Sequence, residues 1–386
     1  MTNAGLIEHV VILVQENHTT DHYFRGLAPW GANVATDWPS GANPPPADPA
    51  HDRSHYFRWL QGEVTPDRHV QLDTAQVLPY YLYLAVTGAF LENHCSGFGT
   101  NSTPNHLLIV GGQSPTLRNP PRTHRPAWDM PSLPGLAGEH GVSWACYTGR
   151  SEYPVEFYPQ LYRSPHVKHS AQIIGDARSG NLPALCMVWH DSPLDEHPRA
   201  DVTRGMDAIW QIVDAVAAAG LWERTVFLLT YDDWGGWDDH VATPVTEYTP
   251  DNVQLAFGPR VPLMMFGGHV RPGIDSRWCS HVSLPKTAIQ LLGLPDLGVP
   301  RLDADPGLAD LVDAAVTNPA PPAYGAAITQ PPPPNPTPPV RPLPPPPPGP
   351  PQPVGPILLR DGTQLPAPFD VQLPHNPNHP PGDTPS

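Results

Sequence analysis

Up to about Val316 the chain alternates between short, continuously apolar runs and stretches with helical spacing. The runs His9 to Val14, Leu107 to Val110, Val142 to Tyr147, Ala184 to Trp189, Thr225 to Thr230 and Val261 to Phe266 read as strands. They lack the alternation of a half-exposed strand, which predicts a sheet covered on both faces. The clearest helix runs from Arg204 to Ala219, with Met206, Ile209, Trp210, Val213, Val216 and Ala217 on one face and Gly220 as its stop. A second is predicted over Ser283 to Leu292. This order predicts an α/β fold: a three-layer α/β/α sandwich around a mostly parallel sheet. Such sheets carry their chemistry in the loops after the C-terminal strand ends. Polar clusters stand at those positions: Gln15-Glu16-Asn17, His190-Asp191 and Tyr231-Asp232-Asp233.

The pattern stops at the tail. Of 57 prolines, 27 lie at or beyond Pro319. Such a stretch buries too little apolar surface to offset its ordering entropy, so it is expected to be polyproline II or disordered. The chain therefore divides into a catalytic domain over residues 1–316 and a proline-rich, low-complexity tail over 317–386. Within the tail, Ile357 to Leu359, Arg360-Asp361-Gly362 and Thr363 to Leu365 read as a short hairpin, either docked on the domain or frayed.

A formal charge of −16 argues against nucleic acid as a partner and against electrostatic docking on anionic membranes. No apolar run is long enough to span a bilayer. The first residues lack a signal-peptide layout, so the chain as written is expected to be cytoplasmic, unless a leader has been removed from a secreted form. Cys95, Cys146, Cys186 and Cys279 show no metal-binding spacing and read as buried free thiols, a Cys95–Cys279 pair being the alternative.

On residue chemistry alone the notable set is Glu16, Asn17, Asp232 and Asp233, with Ser102 in the loop Gly97 to Asn105. Adjacent carboxylates repel unless a cation lies between them, and an all-oxygen set suits one hard divalent ion, Ca²⁺, Mg²⁺ or Mn²⁺. The same residues are equally compatible with a solvated turn and a helix cap.

Longer motifs decide between these. The segment Gln15-Glu16-Asn17-His18-Thr19-Thr20-Asp21-His22-Tyr23-Phe24 resembles QENRSFDHYF, and Ser102-Thr103-Pro104-Asn105-His106 is similar to [ST]-x-P-N-R. Thr230 to Val241 resembles TYDExGGFxDHV, Glu196-His197-Pro198 matches E-H-P, and Phe257 to Pro262 matches FGPRVP. In this order they identify the chain as resembling the bacterial phosphoesterase family of phospholipases C and acid phosphatases. The resemblance implies an alkaline-phosphatase-like fold and one divalent metal held by Glu16, Asn17, Asp232 and Asp233. It also implies Ser102 as both metal ligand and nucleophile, with a phosphoserine intermediate. His197 is the expected proton shuttle, and His55 the expected phosphate-facing histidine. His240 and His281 are expected to orient the acids. Arg260 is either a phosphate contact or a structural partner of a carboxylate. Trp234 and Trp237 either wall the substrate site or pack the metal loop down, and Asn105 belongs to the nucleophile motif.

Departures from the motifs fall at His18 and His106, where the pattern carries arginine, and at Asp233, where many members carry glutamate. The two lost arginines lower the expected phosphate-facing charge, so the substrate is either a small soluble phosphomonoester or a phospholipid headgroup. The rival reading is a decayed phosphoesterase fold presenting its polyproline tail to a proline-binding module.

Overall fold

The computed structural model describes residues 5–121, 126–248, 254–334 and 349–365. Its centre is an eight-stranded sheet. The strands are β1 (His9–Gln15), β2 (Ala89–Cys95), β3 (Trp144–Thr148), β4 (Val167–His169), β5 (Leu185–Trp189), β6 (Thr225–Tyr231), β9 (Leu263–Gly267) and β10 (Gly273–Ser280). Between β6 and β9 lies a hairpin of β7 (Val245–Tyr248) and β8 (Gln254–Ala256), and the tail adds β11 (Gln352–Pro353), β12 (Ile357–Leu358) and β13 (Gln364–Leu365). In space the sheet runs β10-β2-β9-β6-β1-β5-β3-β4, all parallel except β9. The expected mostly parallel sheet is what forms.

Side chains alternate across β1 and thereby feed two cores. Val10, Ile12 and Val14 join the core under the helices Ser102–Gly111, Leu133–Glu139 and Ser283–Leu291. Val11 and Leu13 join the opposite core, under Pro79–Thr87, Gln172–Arg178 and Val202–Ala218. A sheet buried on both faces accounts for the continuous apolar runs.

One predicted strand is wrong. Leu107 to Val110 lies inside the helix Ser102–Gly111, all ten residues of which are buried. A helix buried all round has no polar face, so its apolar run imitates a covered strand. Conversely β2 goes unpredicted because its centre reads Glu92-Asn93-His94, although the whole strand is buried. Partners offset the burial: Glu92 accepts from Ser276 Oγ at 2.5 Å and from the Asn33 amide at 2.6 Å.

The described parts of the tail lie along the domain. The Asn318 side chain donates to the carbonyls of Gly267 and Val270, and the indoles of Trp222 and Trp210 donate to those of Asn318 and Pro322. Further on, β11 pairs with β7. The hairpin over 357–365 takes the docked alternative: β12 pairs with β13, Ile357 is buried, and the Gln113 amide bonds both backbone groups of Leu358. Residues 335–348 and 366–386 lie outside the described residues. All four cysteines are buried and unpaired.

Candidate active site

The sequence-predicted ligands converge at the C-terminal ends of β1 and β6, although more than two hundred positions separate them. Parallel pairing of β1 with β6, Gln15 opposite Tyr231, brings Glu16 and Asn17 beside Asp232 and Asp233. The backbone crosses over at once: Asp232 N–H donates to the Gln15 carbonyl, and Asn17 N–H donates to Asp232 Oδ1 at 3.0 Å. Asn17 is held at φ 65°, a region that asparagine tolerates better than most residues. The loop after Asp233 folds tightly over it. Gly235, at φ 61°, approaches so closely that a Cβ there would lie 2.1 Å from the Asn17 carbonyl oxygen.

Ser102 sits at the first turn of its helix rather than in a loop, and its hydroxyl donates to Asp233 Oδ2 at 3.2 Å. Asn105 reaches back from that helix to the Phe98 amide and to the carbonyls of Phe98 and Asn101. It ties down the loop that delivers Ser102.

Asp232 and Asp233 are fully buried, and Glu16 is partly exposed, its side chain at 15%. Among the described residues their ion-pair partners are histidines alone. Burial, then the neighbouring Asp232 charge, pushes the Asp233 carboxyl well above the usual range. His106 Nε2 lies 3.1 Å from Glu16 Oε1 and 3.4 Å from Asp232 Oδ2. The Trp189 indole, a donor only, points at His106 Nδ1 from 3.2 Å. That nitrogen must be bare, so Nε2 carries the ring proton and His106 serves as a donor to both acids, not as a ligand.

Asn17 gives the sharpest test of what the cluster accommodates. The terminal amide atom facing inward as oxygen lies 3.2 Å from Glu16 Oε2 and 2.8 Å from Asp232 Oδ1, both acceptors. Turning the amide over would convert these contacts into hydrogen bonds. The other side involves two histidines. His197 Nδ1 bonds the Pro198 carbonyl at 2.7 Å and His51 Nδ1 bonds the Pro49 carbonyl at 2.6 Å. Their Nε2 atoms face Asn17, at 3.1 Å for His197 and 3.4 Å for His51. With the amide turned, its NH₂ group donates to both carboxylates and its oxygen accepts from His197 Nε2–H; with the oxygen inward, the amide completes an acceptor set for a cation. Several acceptors converging on one point fit a cation among Glu16, Asn17, Asp232 and Asp233.

Other expected residues go elsewhere. His55 does not face the cluster; it bonds Asp52, which caps the helix Arg53–Leu60. The histidine of this segment that reaches the acids is His51, 3.7 Å from Asp233 Oδ2. Nothing in the local sequence separates the two, because only the capped helix start decides which ring turns inward. His240 bonds Asp21 rather than the cluster. His281 supports the backbone: its ring nitrogens bond the Tyr231 carbonyl and the Gly97 amide. Arg260 is fully buried between Asp21 and Asp239, the structural alternative. Trp234 and Trp237 are buried as well, Trp234 donating to the His51 carbonyl and Trp237 stacking on His22 at 4.1 Å. Neither walls an open site. His18 and His106 are also fully buried, His106 against the acids of the cluster and His18 against His22 and the Glu196 carbonyl. Trp189 and Tyr153, whose hydroxyl meets Thr103 Oγ1 at 3.0 Å, were not anticipated.

The geometry thus defines a buried acidic cluster beside a serine at a helix start. A family model described as the phosphoesterase family matches residues 7–295, and the chain belongs to that family. It is 25% identical over 250 residues to non-specific phospholipase C5 of Arabidopsis thaliana, covering 55% of this chain and 44% of that protein. To phospholipase C A of Mycobacterium tuberculosis it is 23% identical over 390 residues, covering 77% and 74%. The chain spans about half the length of non-specific phospholipases C5, C4 and C1 of Arabidopsis thaliana, 44% to 49%. Among solved structures, a protein in the alkaline phosphatase superfamily from Vibrio parahaemolyticus aligns with a TM-score of 0.44 at 12% identity, over 78% of this chain and 69% of that one.

Proposed function

We propose that the protein hydrolyses phosphoester bonds, with Ser102 as nucleophile and one divalent metal held by Glu16, Asn17, Asp232, Asp233 and the Ser102 hydroxyl. The observation that carries this reading is the convergence of Glu16, Asn17, Asp232 and Asp233 at two adjacent strand ends beside the Ser102 hydroxyl. When bound, the cation supplies the charge that lowers the serine pKa and neutralises phosphate.

The chain's own groups do the rest. Ser102 Oγ directs its proton at Asp233 Oδ2, which leaves a lone pair for in-line attack on phosphorus. The start of the helix Ser102–Gly111 favours the phosphate charge through the positive end of the helix dipole. Attack gives a phosphoserine and expels the leaving oxygen. His197 Nδ1–H is anchored on the Pro198 carbonyl, so Nε2 is the atom that gives a proton to the leaving group and then takes one from the hydrolytic water. His51 Nε2 stands on the same side of Asn17 and is placed to meet a phosphate oxygen.

The intact acid cluster and serine oppose the scaffold reading. The test uses protein stripped by chelation and then supplied with Ca²⁺, Mg²⁺ or Mn²⁺ singly, assayed on p-nitrophenyl phosphate and on phosphatidylcholine in mixed micelles. Chelation should abolish turnover and one metal should restore it. A chelated sample as fast as the untreated one overturns the reading. Preference between the two substrates then separates a phosphomonoesterase from a phospholipase C, the activity named in the relatives.

A further inference from the structure

Beneath the cluster lies a carboxylate that the proposed chemistry does not use. Glu196 is fully buried and held at φ 67°. Its carboxylate accepts from the Tyr81 hydroxyl at 2.5 Å, the Tyr231 hydroxyl at 2.8 Å, the Tyr23 hydroxyl at 2.9 Å and Gln15 Nε2 at 2.8 Å. Its carbonyl accepts from His18 Nε2 at 3.1 Å. Two of the donors, and Glu196 itself, adjoin site groups. Gln15 immediately precedes Glu16, Tyr231 immediately precedes Asp232, and Glu196 itself immediately precedes His197. Alternation along β1 and β6 sends Gln15 and Tyr231 to one face of the sheet while the following residues reach the cluster. One carboxylate therefore fixes three segments, each one residue away from a site group.

A glycine makes room for it. Gly205 faces the cage from the helix Val202–Ala218, and a Cβ there would lie 2.2 Å from Glu196 Cγ and 2.8 Å from Gln15 Nε2. Glycine inside a helix is unfavourable by about 1 kcal/mol against alanine, so its presence at this position answers a packing demand.

We infer that Glu196 is a positioning residue, whose tyrosine-caged carboxylate sets the spacing of the Glu16–Asn17, Asp232–Asp233 and His197 segments. The inference rests on the proposed metal-dependent reading of the cluster. A role confined to stability predicts variants that melt lower but work normally once folded. A positioning role predicts weaker metal binding and slower chemistry in protein that remains folded, as loss of groups that orient metal ligands does elsewhere.

The test compares Glu196→Gln, Tyr81→Phe and Gly205→Ala with Tyr80→Phe. Tyr80 is equally buried, but its hydroxyl has no hydrogen-bond partner among the described residues. Folding is checked by circular dichroism, Mn²⁺ affinity is measured by calorimetry, and kcat and KM are taken on p-nitrophenyl phosphate. Glu196→Gln should lose about ten- to a hundredfold in Mn²⁺ affinity, with kcat falling while KM stays near the parent value. Tyr81→Phe and Gly205→Ala should show smaller losses of the same kind, and Tyr80→Phe none. If Glu196→Gln does not fold, Tyr81→Phe and Gly205→Ala read the same property. Folded cage variants with parental Mn²⁺ affinity and kcat overturn the inference and leave the proposed function standing. A parent that neither binds nor needs a divalent metal removes both.

Discussion

Two buried groups of carboxylates lie within the same fold, and they are resolved in opposite ways. Asp21 and Asp239 enclose Arg260, whose five N–H donors are all used: on Asp239 Oδ1 and Oδ2, Asp21 Oδ1 and the carbonyls of Asn33 and Glu92. His240 closes that group from the edge. At the other group, the ion-pair partners of Glu16, Asp232 and Asp233 among the described residues are histidines alone, and the Asn17 amide lies against two of the acids. The first group carries its own cation and is complete as protein. The second is arranged as a receptacle for one, with a serine hydroxyl at its rim. On the proposed reading, carboxylates serve stability in one place and chemistry in the other.

The largest expected effect separates the two directly. Ser102→Ala should lower kcat on the order of a thousand-fold or more, as loss of other covalent nucleophiles does, while the melting temperature stays close to the parent's. Steady-state kinetics and a thermal melt on one preparation suffice. Near-normal turnover would remove Ser102 from the mechanism and leave the receptacle without a nucleophile.

Arg260→Leu addresses the other side. It strips the guanidinium from two carboxylates that cannot reach water, and breaking such a buried pair costs about 3–5 kcal/mol. Urea denaturation should show that loss. Protein still folded in dilute buffer should keep a substantial part of its turnover, because Arg260 touches none of the groups around Ser102. A loss in turnover exceeding that of Ser102→Ala, at unchanged stability, would show that the two groups are not separate.

How far this contrast could be read in the sequence depends on distance along the chain. The meeting of Glu16-Asn17 with Asp232-Asp233 was legible because each pair follows an apolar run, and parallel strands deliver such positions to one edge. Arg260 was left between two roles because its partners, Asp21 and Asp239, lie 239 and 21 positions away. His51 was missed in favour of His55 because the choice rests on the cap that Asp52 makes, a matter of rotamer and not of composition. The helix Ser102–Gly111 was misread in part because burial on every side erases the polar face from which helical period is recognised. The Glu196 cage could not be seen in advance, since four donors from four elements meet only after the sheet has formed.

The smallest expected effect concerns pH and tests whether the Arg260 group is finished as an ion network. Burial pushes the Asp21 carboxyl up, but the His240 hydrogen bond and the Arg260 charge outweigh it and hold the group below the usual aspartate range. His240 is raised, first by its hydrogen bond to Asp21 and against the effect of burial, and its Nε2 faces Asn33 Oδ1 at 3.0 Å. The signs follow from linkage. Stability from Asp21 is present above the unfolded aspartate value of about 4 and lost as pH falls through the lower folded one. Stability from His240 is complete below the unfolded histidine value of about 6.5 and lost as pH rises through the higher folded one. The pair therefore contributes most between about pH 4 and 6.5. In His240→Asn the melting temperature should fall most in that window and approach the parent's on the alkaline side, where the parent gives up the same contribution. Parent and variant curves that run parallel across the whole range would mean that the His240 ring stays neutral, so that Arg260 alone balances the two acids. The Arg260 group would then have its cation in a single residue, which is the role a metal is proposed to take beside Ser102.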